Sequence, residues 1–512
     1  PETVFVQDFA LGWRRTMRPG KLPREVVDQT AYEGAVRHLG AAGVRLPTFR
    51  ELADPSLIPD EVAAETARLD PAEPGPANLF RIHWFNNEDG MGTVATPGHI
   101  VLGRELTGVA APIAVALGDR FPMIGAHKVL AAYGCLAPRI ITGQFDPGAH
   151  RAIWPSTGNY CRGGVAVSRI LGVRGVAVLP EGMSAERFDW LQNWVGNSQD
   201  IIRTPGSESN VKEIYDKCNE LETDSTNVIL NQFSEFANYL AHLGCTGPAL
   251  ETVFLDLKKS NSDLELAAFV SGTGSADTLG AGDYLKREHG SKIVAVEPIE
   301  CPTMLYNVYG AHNIQGIGDK HIPLIQNVMN SDVVAGISGT SCDAVDVLFN
   351  TDVGRDYLAR RRGVDPGLVD EVGNMGLSGI ANVLAAIKTA RYFDLAENHV
   401  IVTVATDGAG LYDSERQKAI ARDFPNGFDA VNAGEVFGQH LAGLDNDHYL
   451  ELSHRDRKRI FNLGYFTWVE QQGIALEDFD SRRDQSFWQG LAATLPDWDR
   501  MIEDFNGKTG VE

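Results

Sequence analysis

The stretch Gly125-Ala126-His127-Lys128 decides how the rest of this chain is interpreted. It follows an apolar run at Ile113 to Leu117 and precedes Val129-Leu130-Ala131-Ala132-Tyr133, which predicts a helix after a short loop. A lysine placed in this way can serve as a Schiff-base amine in a domain cleft. Taken alone, the four residues favour a simpler interpretation, a solvated lysine that opens a surface helix. The choice depends on the elements downstream.

The composition is that of a soluble globular protein that can bury an active site. The chain has 512 residues, of which 43% are hydrophobic and 22% are charged. This length allows a large core and more than one domain or subdomain. The formal net charge of −23 argues against a nucleic acid or an anionic membrane as the main partner. An anionic ligand would therefore need a local binding device.

The cysteines and the first residues indicate a cytoplasmic protein. Arg14, Arg15 and Arg18 are not followed by the apolar core of a signal peptide, and no run of about 18 apolar residues occurs. The cysteines show no C-x-x-C pair or zinc-ligand spacing, so we expect reduced thiols and no metal site. They are Cys135, Cys161, Cys218, Cys245, Cys301 and Cys342.

Three regions of the chain differ in composition and in hydrophobic pattern. Residues 1–78 are rich in Pro, Glu, Asp and Arg and predict a helical N-terminal extension, with a Pro-Gly-Pro break at 74 to 76. Residues 79–423 alternate short apolar runs with helical patterns, which is typical of strand-helix units around a parallel sheet. Residues 424–512 predict a helical C-terminal extension that covers part of the core or a subunit contact, because its aromatic side chains would otherwise form an exposed apolar patch.

The central region predicts an α/β core. Its strand candidates lack period-two alternation, as strands covered on both faces should. They are Ile113 to Leu117, Gly175 to Leu179, Asn227 to Asn231, Ala267 to Val270, Ile293 to Val296 and Val400 to Ala405.

A loop of small residues, Ser271-Gly272-Thr273-Gly274-Ser275-Ala276-Asp277-Thr278, joins one of these strands to a helix. Backbone N–H groups beside the positive end of a helix dipole can hold a phosphate. The third glycine of a G-x-G-x-x-G dinucleotide fingerprint would be Asp277, so a nicotinamide site is disfavoured. A phosphate cup and a plain tight turn both remain open.

Two other polar loops precede helices. Ser156, Thr157 and Asn159 lie ahead of a helix that we expect to begin near Gly163 and Gly164, and such groups suit a carboxylate or form a helix cap. Ser378 precedes an apolar helix, and Gln232 ends the apolar run at Val228 to Leu230. Each of these signals is weak by itself.

Taken in chain order, the pieces resemble the fold type II pyridoxal-phosphate enzymes, the superfamily of tryptophan synthase β and cysteine synthase (O-acetylserine sulfhydrylase). The lysine motif at 125–128 is similar to that of tryptophan synthase β, whereas the stretches after it are closer to cysteine synthase. The collinear stretches are Ser156-Thr157-Gly158-Asn159, residues 179–187, Asn231-Gln232-Phe233, Thr246-Gly247-Pro248, Ser271-Gly272-Thr273-Gly274, Val294-Ala295-Val296-Glu297-Pro298, residues 312–318 and Gly376-Leu377-Ser378-Gly379.

The resemblance implies an α/β fold of two open, twisted, mainly parallel sheets with pyridoxal 5′-phosphate in the cleft between two subdomains. It implies that Lys128 carries the Schiff base, that Asn159 bonds the cofactor's O3′ and that Ser378 faces the pyridine nitrogen. The phosphate cup would comprise Gly274, Ser275, Ala276, Asp277 and Thr278. The substrate carboxylate would be held by Ser156, Thr157, Asn159 and Gln232.

The resemblance also implies a reaction class. A neutral hydroxyl at Ser378 does not keep the pyridine nitrogen protonated as a carboxylate would, which suits β-elimination over transamination. We therefore expect β-replacement or β-elimination on an amino acid with a β-leaving group, through an α-aminoacrylate, in a homodimer. Replacement is the first choice. The alternatives are a β-eliminating lyase, such as a cysteine desulfhydrase or an ammonia-lyase, and a catalytically idle scaffold that binds the cofactor.

Three positions depart from the superfamily's pattern. Ala276 and Asp277 stand where the phosphate cup normally has glycines, and a carboxylate facing a phosphate is unfavourable. We therefore expect the Asp277 side chain to turn outward and cap the helix that starts near Thr278. Tyr160 stands where a small hydroxyl residue is usual, which predicts a reshaped substrate pocket.

Overall fold

The computed structural model describes residues 22–511, so the arginines at 14, 15 and 18 lie outside the described residues. Eleven strands form the two sheets of the described part. They are β1 (His99–Leu102), β2 (Ile113–Leu117), β3 (Arg151–Pro155), β4 (Arg174–Pro180), β5 (Ile201–Thr204), β6 (Asn227–Ile229), β7 (Glu265–Gly272), β8 (Lys292–Pro298), β9 (Val333–Ile337), β10 (His399–Ala405) and β11 (Tyr449–Glu451).

Helices cover both sheets and form the two terminal extensions. They are α1 (Gln29–Ala42), α2 (Phe49–Ala53), α3 (Asp60–Thr66), α4 (Arg104–Thr107), α5 (Lys128–Ile141), α6 (Asn159–Ile170), α7 (Ala185–Trp194), α8 (Val211–Leu221), α9 (Phe236–Ala241), α10 (Gly247–Ser260), α11 (Leu279–His289), α12 (Thr303–Tyr306), α13 (Gly339–Asn350), α14 (Asp352–Tyr357), α15 (Pro366–Val372), α16 (Leu377–Tyr392), α17 (Asp413–Asp423), α18 (Ala430–Phe437), α19 (His454–Tyr465), α20 (Leu476–Ser481), α21 (Gln485–Ala492) and α22 (Leu495–Thr509).

The larger sheet has seven strands in the order β1-β2-β10-β7-β8-β9-β11. Its five central strands are parallel, whereas β1 and β11 pair antiparallel at the two edges. Every residue of β2 and of β9 is buried. The missing alternation in the sequence thus reflects helices on both faces, as predicted.

The smaller sheet has four parallel strands in the order β5-β4-β3-β6. The two sheets confirm the predicted α/β fold with two mainly parallel sheets. In such folds ligands bind outside the carboxyl ends of the strands, and β3, β6, β7 and β10 each lead into a loop that carries a predicted site residue or its neighbour.

The helix after the Ser156 loop begins at Asn159 and not near Gly163, so that prediction was wrong. The two glycines lie inside α6 because this helix packs closely on α5 and on β3. A Cβ at Gly163 would lie 2.7 Å from the Lys128 carbonyl oxygen, and one at Gly164 would lie 2.1 Å from the Trp154 ring. Glycine here permits a close helix contact beside the lysine and does not mark a helix start.

The two terminal extensions pack together and on the core. Tyr32 of α1 contacts Phe505 of α22 edge to face, with ring centroids 5.5 Å apart. Trp468 is buried and donates from Nε1 to the Ile322 carbonyl oxygen at 2.7 Å, whereas Phe466 beside it is 68% exposed. The C-terminal extension is helical as predicted, and it also supplies the edge strand β11. Among residues 22–511, no helix has the length and apolar character needed to cross a membrane.

Candidate active site

A cleft of about 520 Å³ lies where the carboxyl ends of strands from both sheets meet. The loops after β3 and β6 form one wall, and the loops after β7 and β10, with the start of α16, form the other. All of the predicted site residues except Ala276 line it: Lys128, Ser156, Thr157, Asn159, Gln232, Gly274, Ser275, Asp277, Thr278 and Ser378. The fold therefore brings together side chains that lie up to 250 positions apart in the sequence.

Lys128 is the first residue of α5, and its side chain is 13% exposed. Its Nζ donates to Ser275 Oγ at 2.9 Å and to Asp277 Oδ2 at 2.7 Å. The lysine is thus held at the loop after β7 and is not a solvated surface residue. Residues 125–128 taken alone favoured a solvated lysine that opens a surface helix, and that interpretation does not apply to this fold.

Asp277 faces into the cleft, so the expected outward orientation was wrong. Its side chain is only 4% exposed and pairs with Lys128. Burial by itself would raise the pKa of the Asp277 carboxyl, but Lys128 and His242 together hold that pKa well below its usual range. Oδ1 accepts from the Thr278 N–H at 2.9 Å, but Thr278 is the N-cap of α11 and the helix has no side-chain cap bond, so the predicted cap is absent. The attraction between the Asp277 carboxylate and the Lys128 ammonium outweighs the stabilisation of about 1 kcal/mol that the carboxylate would gain at the N-terminus of α11.

The loop after β7 presents unused backbone donors. Within residues 22–511, the N–H groups of Ser275, Ala276 and Asp277 have no hydrogen-bond acceptor. Ala276 has φ of 62°, the left-handed conformation that turns successive N–H groups toward one point. Helix α11 begins three residues later, at Leu279. Such a concave loop at a helix N-terminus suits an anion.

Asn159 begins α6 and lines the cleft, but both ends of its amide are engaged. Its Nδ2 donates to Asp407 Oδ2 at 2.6 Å, and its Oδ1 accepts from Arg162 Nη1 at 2.9 Å. Asp407 also accepts from the Tyr412 hydroxyl at 2.7 Å and lies 3.5 Å from Arg187. Burial raises the pKa of Asp407, although Arg187 opposes the shift. This buried network fixes the orientation of Asn159.

Ser378 is the second residue of α16, whose N-cap is Gly376 without a side-chain cap bond. Its Oγ lies 2.8 Å from Thr406 Oγ1, just after β10, and both residues line the cleft. Ser378 is therefore not a helix cap, which was the simpler interpretation of a serine before a helix.

The residues predicted to hold a carboxylate lie on the wall formed by the smaller sheet. Ser156 Oγ accepts from the Gly158 N–H at 2.8 Å and shapes the turn into α6. Gln232 is 3% exposed, and its Oε1 has no hydrogen-bond partner among the described residues. Tyr160 lines the cleft, as the sequence predicted, with its hydroxyl donating to the Leu230 carbonyl oxygen at 3.1 Å.

Sequence reasoning gave no role to two buried histidines and to Asp407. His127 and His242 lie beside Asp277, with one ligand-type atom from each of the three within 4.8 Å of the others. A metal ion is disfavoured there, because the Lys128 ammonium already lies 2.7 Å from Asp277 Oδ2.

The run Thr406-Asp407-Gly408 after β10 could have indicated Asp407, since polar residues that follow a buried parallel strand lie at the edge of the sheet where ligands bind. His242 has no such local signal.

Comparisons with known proteins agree with this geometry. Residues 111–346 match a family model described as pyridoxal-phosphate dependent enzyme. Cysteine synthase B from Campylobacter jejuni is 33% identical over 245 residues, which cover 47% of this chain and 71% of that protein. A cysteine synthase from Staphylococcus aureus is 29% identical over 272 residues, which cover 53% and 77%. A hydrogen sulfide-producing enzyme from Fusobacterium nucleatum has a similar structure with a TM-score of 0.52 and 22% identity, covering 65% of this chain and 98% of that one.

The cleft fits the cofactor of this family. The unpaired N–H groups of the loop after β7 suit the phosphate, and Lys128 lies within reach of the same loop. The neutral pair of Ser378 and Thr406 leaves a hydroxyl for the ring nitrogen. Among the described residues that line the cleft, Asp277 is the acidic side chain, and its carboxylate is paired with Lys128 in this structure. The chain belongs to the fold type II pyridoxal-phosphate-dependent enzymes of the cysteine synthase and tryptophan synthase β superfamily, and pyridoxal phosphate is its cofactor.

Proposed function

We propose that this enzyme catalyses β-replacement on an amino acid that carries a β-leaving group, with Lys128 as the Schiff-base lysine and as the base at the α-carbon. The observation that carries the proposal is the position of Lys128 Nζ in a cleft between the two sheets, beside an anion-binding loop and across from Ser378. The cysteine synthases that match the sequence favour replacement as the first choice.

Pyridoxal phosphate, when bound, supplies an aldehyde for covalent attachment and a ring that withdraws electrons from the α-carbon. The protein contributes the remaining steps. The loop 274–278 would hold the phosphate through backbone N–H groups, and Ser378 would offer the ring nitrogen a neutral hydroxyl, which does not keep it protonated. Lys128 takes the α-proton when the substrate has displaced it, and the leaving group then departs from the β-carbon.

The substrate's carboxylate fits the wall built by Ser156, Thr157, Asn159 and Gln232. The N-terminus of the twelve-residue helix α6 lies at this wall and attracts an anion. A local anion-binding site of this kind is needed because the chain as a whole, with a net charge of −23, repels anions. The carboxylate is common to all amino acids, so selectivity for the β-substituent depends on the rest of the cleft.

Two experiments test the proposal. Borohydride reduction of the loaded protein, followed by peptide mass spectrometry, should place the pyridoxyl group on Lys128, and a label on another lysine would contradict the assignment. Turnover should then be screened with O-acetylserine, O-phosphoserine, cysteine and serine, with and without sulfide. Cysteine formed from O-acetylserine and sulfide establishes replacement. Pyruvate released without an added nucleophile establishes a lyase instead.

We also propose a homodimer located in the cytoplasm, with an N-terminal extension at 1–78, a catalytic core at 79–423 and a C-terminal extension at 424–512. All six cysteines are buried and free, which suits a reducing compartment. Light scattering coupled to gel filtration tests the dimer, with a mass near twice 55.7 kDa expected. A single-chain mass would contradict it.

A further inference from the structure

The ion pair between Lys128 and Asp277 is a feature of the cleft that the proposed function does not require. Nζ and Oδ2 are 2.7 Å apart, and the two side chains are 13% and 4% exposed. Ser275 Oγ accepts a second hydrogen bond from Nζ at 2.9 Å. A lysine ammonium has three hydrogens to donate, so two point to the loop and one remains for the cleft.

His242 completes the surroundings of Asp277 from the opposite side. Trp84 Nε1 can only donate, and it donates to Thr246 Oγ1 at 2.8 Å. The Thr246 hydroxyl hydrogen is then available to His242 Nδ1, also at 2.8 Å. His242 Nε2 lies 3.3 Å from Asp277 Oδ2, close enough to interact electrostatically with the carboxylate but without the alignment of a hydrogen bond.

The same carboxylate oxygen therefore lies 2.7 Å from the Lys128 ammonium on one side and 3.3 Å from the His242 ring nitrogen on the other. His127 adds no charge that would compete with Lys128, because burial, followed by His242 and Lys128, lowers its pKa well below the usual value. A buried ion pair pays several kcal/mol of desolvation per ion, and here three elements (α5, the loop after β7 and the π-helical turn at 242–246) converge on one pair.

We propose that Asp277, supported by Ser275 and His242, is the docking site for the free amine of Lys128, and that it is a positioning residue for the base of the reaction. The inference rests on the proposed function of Lys128. Asp277 holds the lysine at the phosphate loop whenever its nitrogen is not bonded to the cofactor.

The proton balance follows from this arrangement. When Lys128 takes the α-proton, Nζ gains one hydrogen and one positive charge, and the carboxylate of Asp277 stays ionised. The ammonium and the carboxylate then form a neutral pair, and no proton leaves the two groups. For covalent attachment of the cofactor, the docked ammonium first loses one proton to solvent, because only a neutral amine attacks an aldehyde. Docking therefore slows attachment at low pH.

The test uses the full chain after removal of the cofactor with hydroxylamine, with folding checked by circular dichroism. Brief acetylation with acetic anhydride over a range of pH, read by peptide mass spectrometry, reports the reactivity of each lysine. In Asp277→Asn we expect Lys128 to react about ten-fold faster or more at pH 7.5. Labelling is recorded at the same pH values for both proteins.

Two further variants keep the result interpretable. Asp283→Asn changes another aspartate of the same region, whose partners are Tyr239 and Asn327 and not a lysine of the cleft, so Lys128 labelling should not change. Ser275→Ala removes the second acceptor and should shift the labelling in the same direction as Asp277→Asn, but less. If Asp277→Asn does not fold, the labelling of Ser275→Ala tests the inference.

An unchanged rate and pH profile of Lys128 labelling in Asp277→Asn, or in Ser275→Ala where the former does not fold, would overturn the inference. Equal acceleration in Asp283→Asn would overturn it too, since it would indicate general loosening. Neither result bears on the borohydride label at Lys128, so a failure of this inference and a failure of the proposed function are distinguishable.

Discussion

Asn159 Nδ2 donates to Asp407 Oδ2 over 2.6 Å and thereby ties the first turn of α6, beside the smaller sheet, to the loop after β10 of the larger sheet. The contact spans 248 residues of sequence and closes one side of the cleft. Asp407 has three donors around it, so its removal affects more than one group.

We predict that Asp407→Ala lowers the free energy of unfolding by about 3 to 5 kcal/mol, because the buried Arg187 guanidinium loses its counter-ion. It should also weaken cofactor binding, since Asn159 is no longer held. Asp346→Ala is the matched control, because it removes a buried aspartate that pairs with an arginine outside the cleft; this arginine, Arg416, keeps Asp413 as a partner. Denaturant melts and equilibrium dialysis with pyridoxal phosphate measure both effects. Equal loss of cofactor affinity in the control would contradict a role of Asp407 in the cleft.

Lys128→Ala should reduce turnover by about a thousand-fold or more, because the variant lacks both the Schiff-base amine and the base. It should also destabilise the cofactor-free protein, since Asp277 loses its partner. The folded-state pKa of Asp277 is depressed, so its contribution to stability is present above its ordinary pKa and lost as the pH falls. We expect the difference in melting temperature from the wild type to be larger at pH 8 than at pH 3, by calorimetry. The opposite order would show that Asp277 is not stabilised by Lys128.

Ser378→Asp should change the absorbance spectrum of the bound cofactor and slow β-elimination, because a carboxylate keeps the ring nitrogen protonated. Ser453→Asp provides the control, since Ser453 is the N-cap of α19, where aspartate serves equally well. Spectra and pre-steady-state kinetics of the two variants are to be compared. A spectrum of Ser378→Asp identical to the wild type would remove Ser378 from the cofactor's surroundings.

Glu208→Gln should stabilise the protein at alkaline pH. Burial raises the pKa of Glu208 from 4.5 to about 8. The folded state therefore retains a proton that the unfolded state loses, and stability is lost as the pH rises from about 4.5 to about 8. The glutamine variant lacks this loss and should gain roughly 2 to 4 kcal/mol at pH 8. Urea melts at pH 5 and pH 8 test it, with Glu220→Gln on the exposed face of α8 as control. A gain that is equal at both pH values would contradict the assignment.

The fold and the cofactor could be predicted because they depend on local patterns. Strands β2, β7, β8 and β10 are read from apolar runs without alternation, since both faces of a parallel strand are covered. The motifs around Lys128 and Ser378 each mark the first turn of a helix, which is a short-range feature. Their order along the chain was enough to indicate the cleft.

The sequence by itself therefore determined the α/β fold, the cofactor and ten of the residues that line the cleft. Only the tertiary structure decided where their side chains point. Asp277 has a local alternative worth about 1 kcal/mol as a helix cap, and it turns inward because Lys128 and His242, 149 and 35 positions earlier in the chain, lie opposite it. Asn159 is oriented by Asp407 in the same way. Contacts between distant segments leave no periodic pattern in the sequence. Their energies exceed the conformational preferences of the local segment, so the orientation of these side chains is fixed only when the chain has folded.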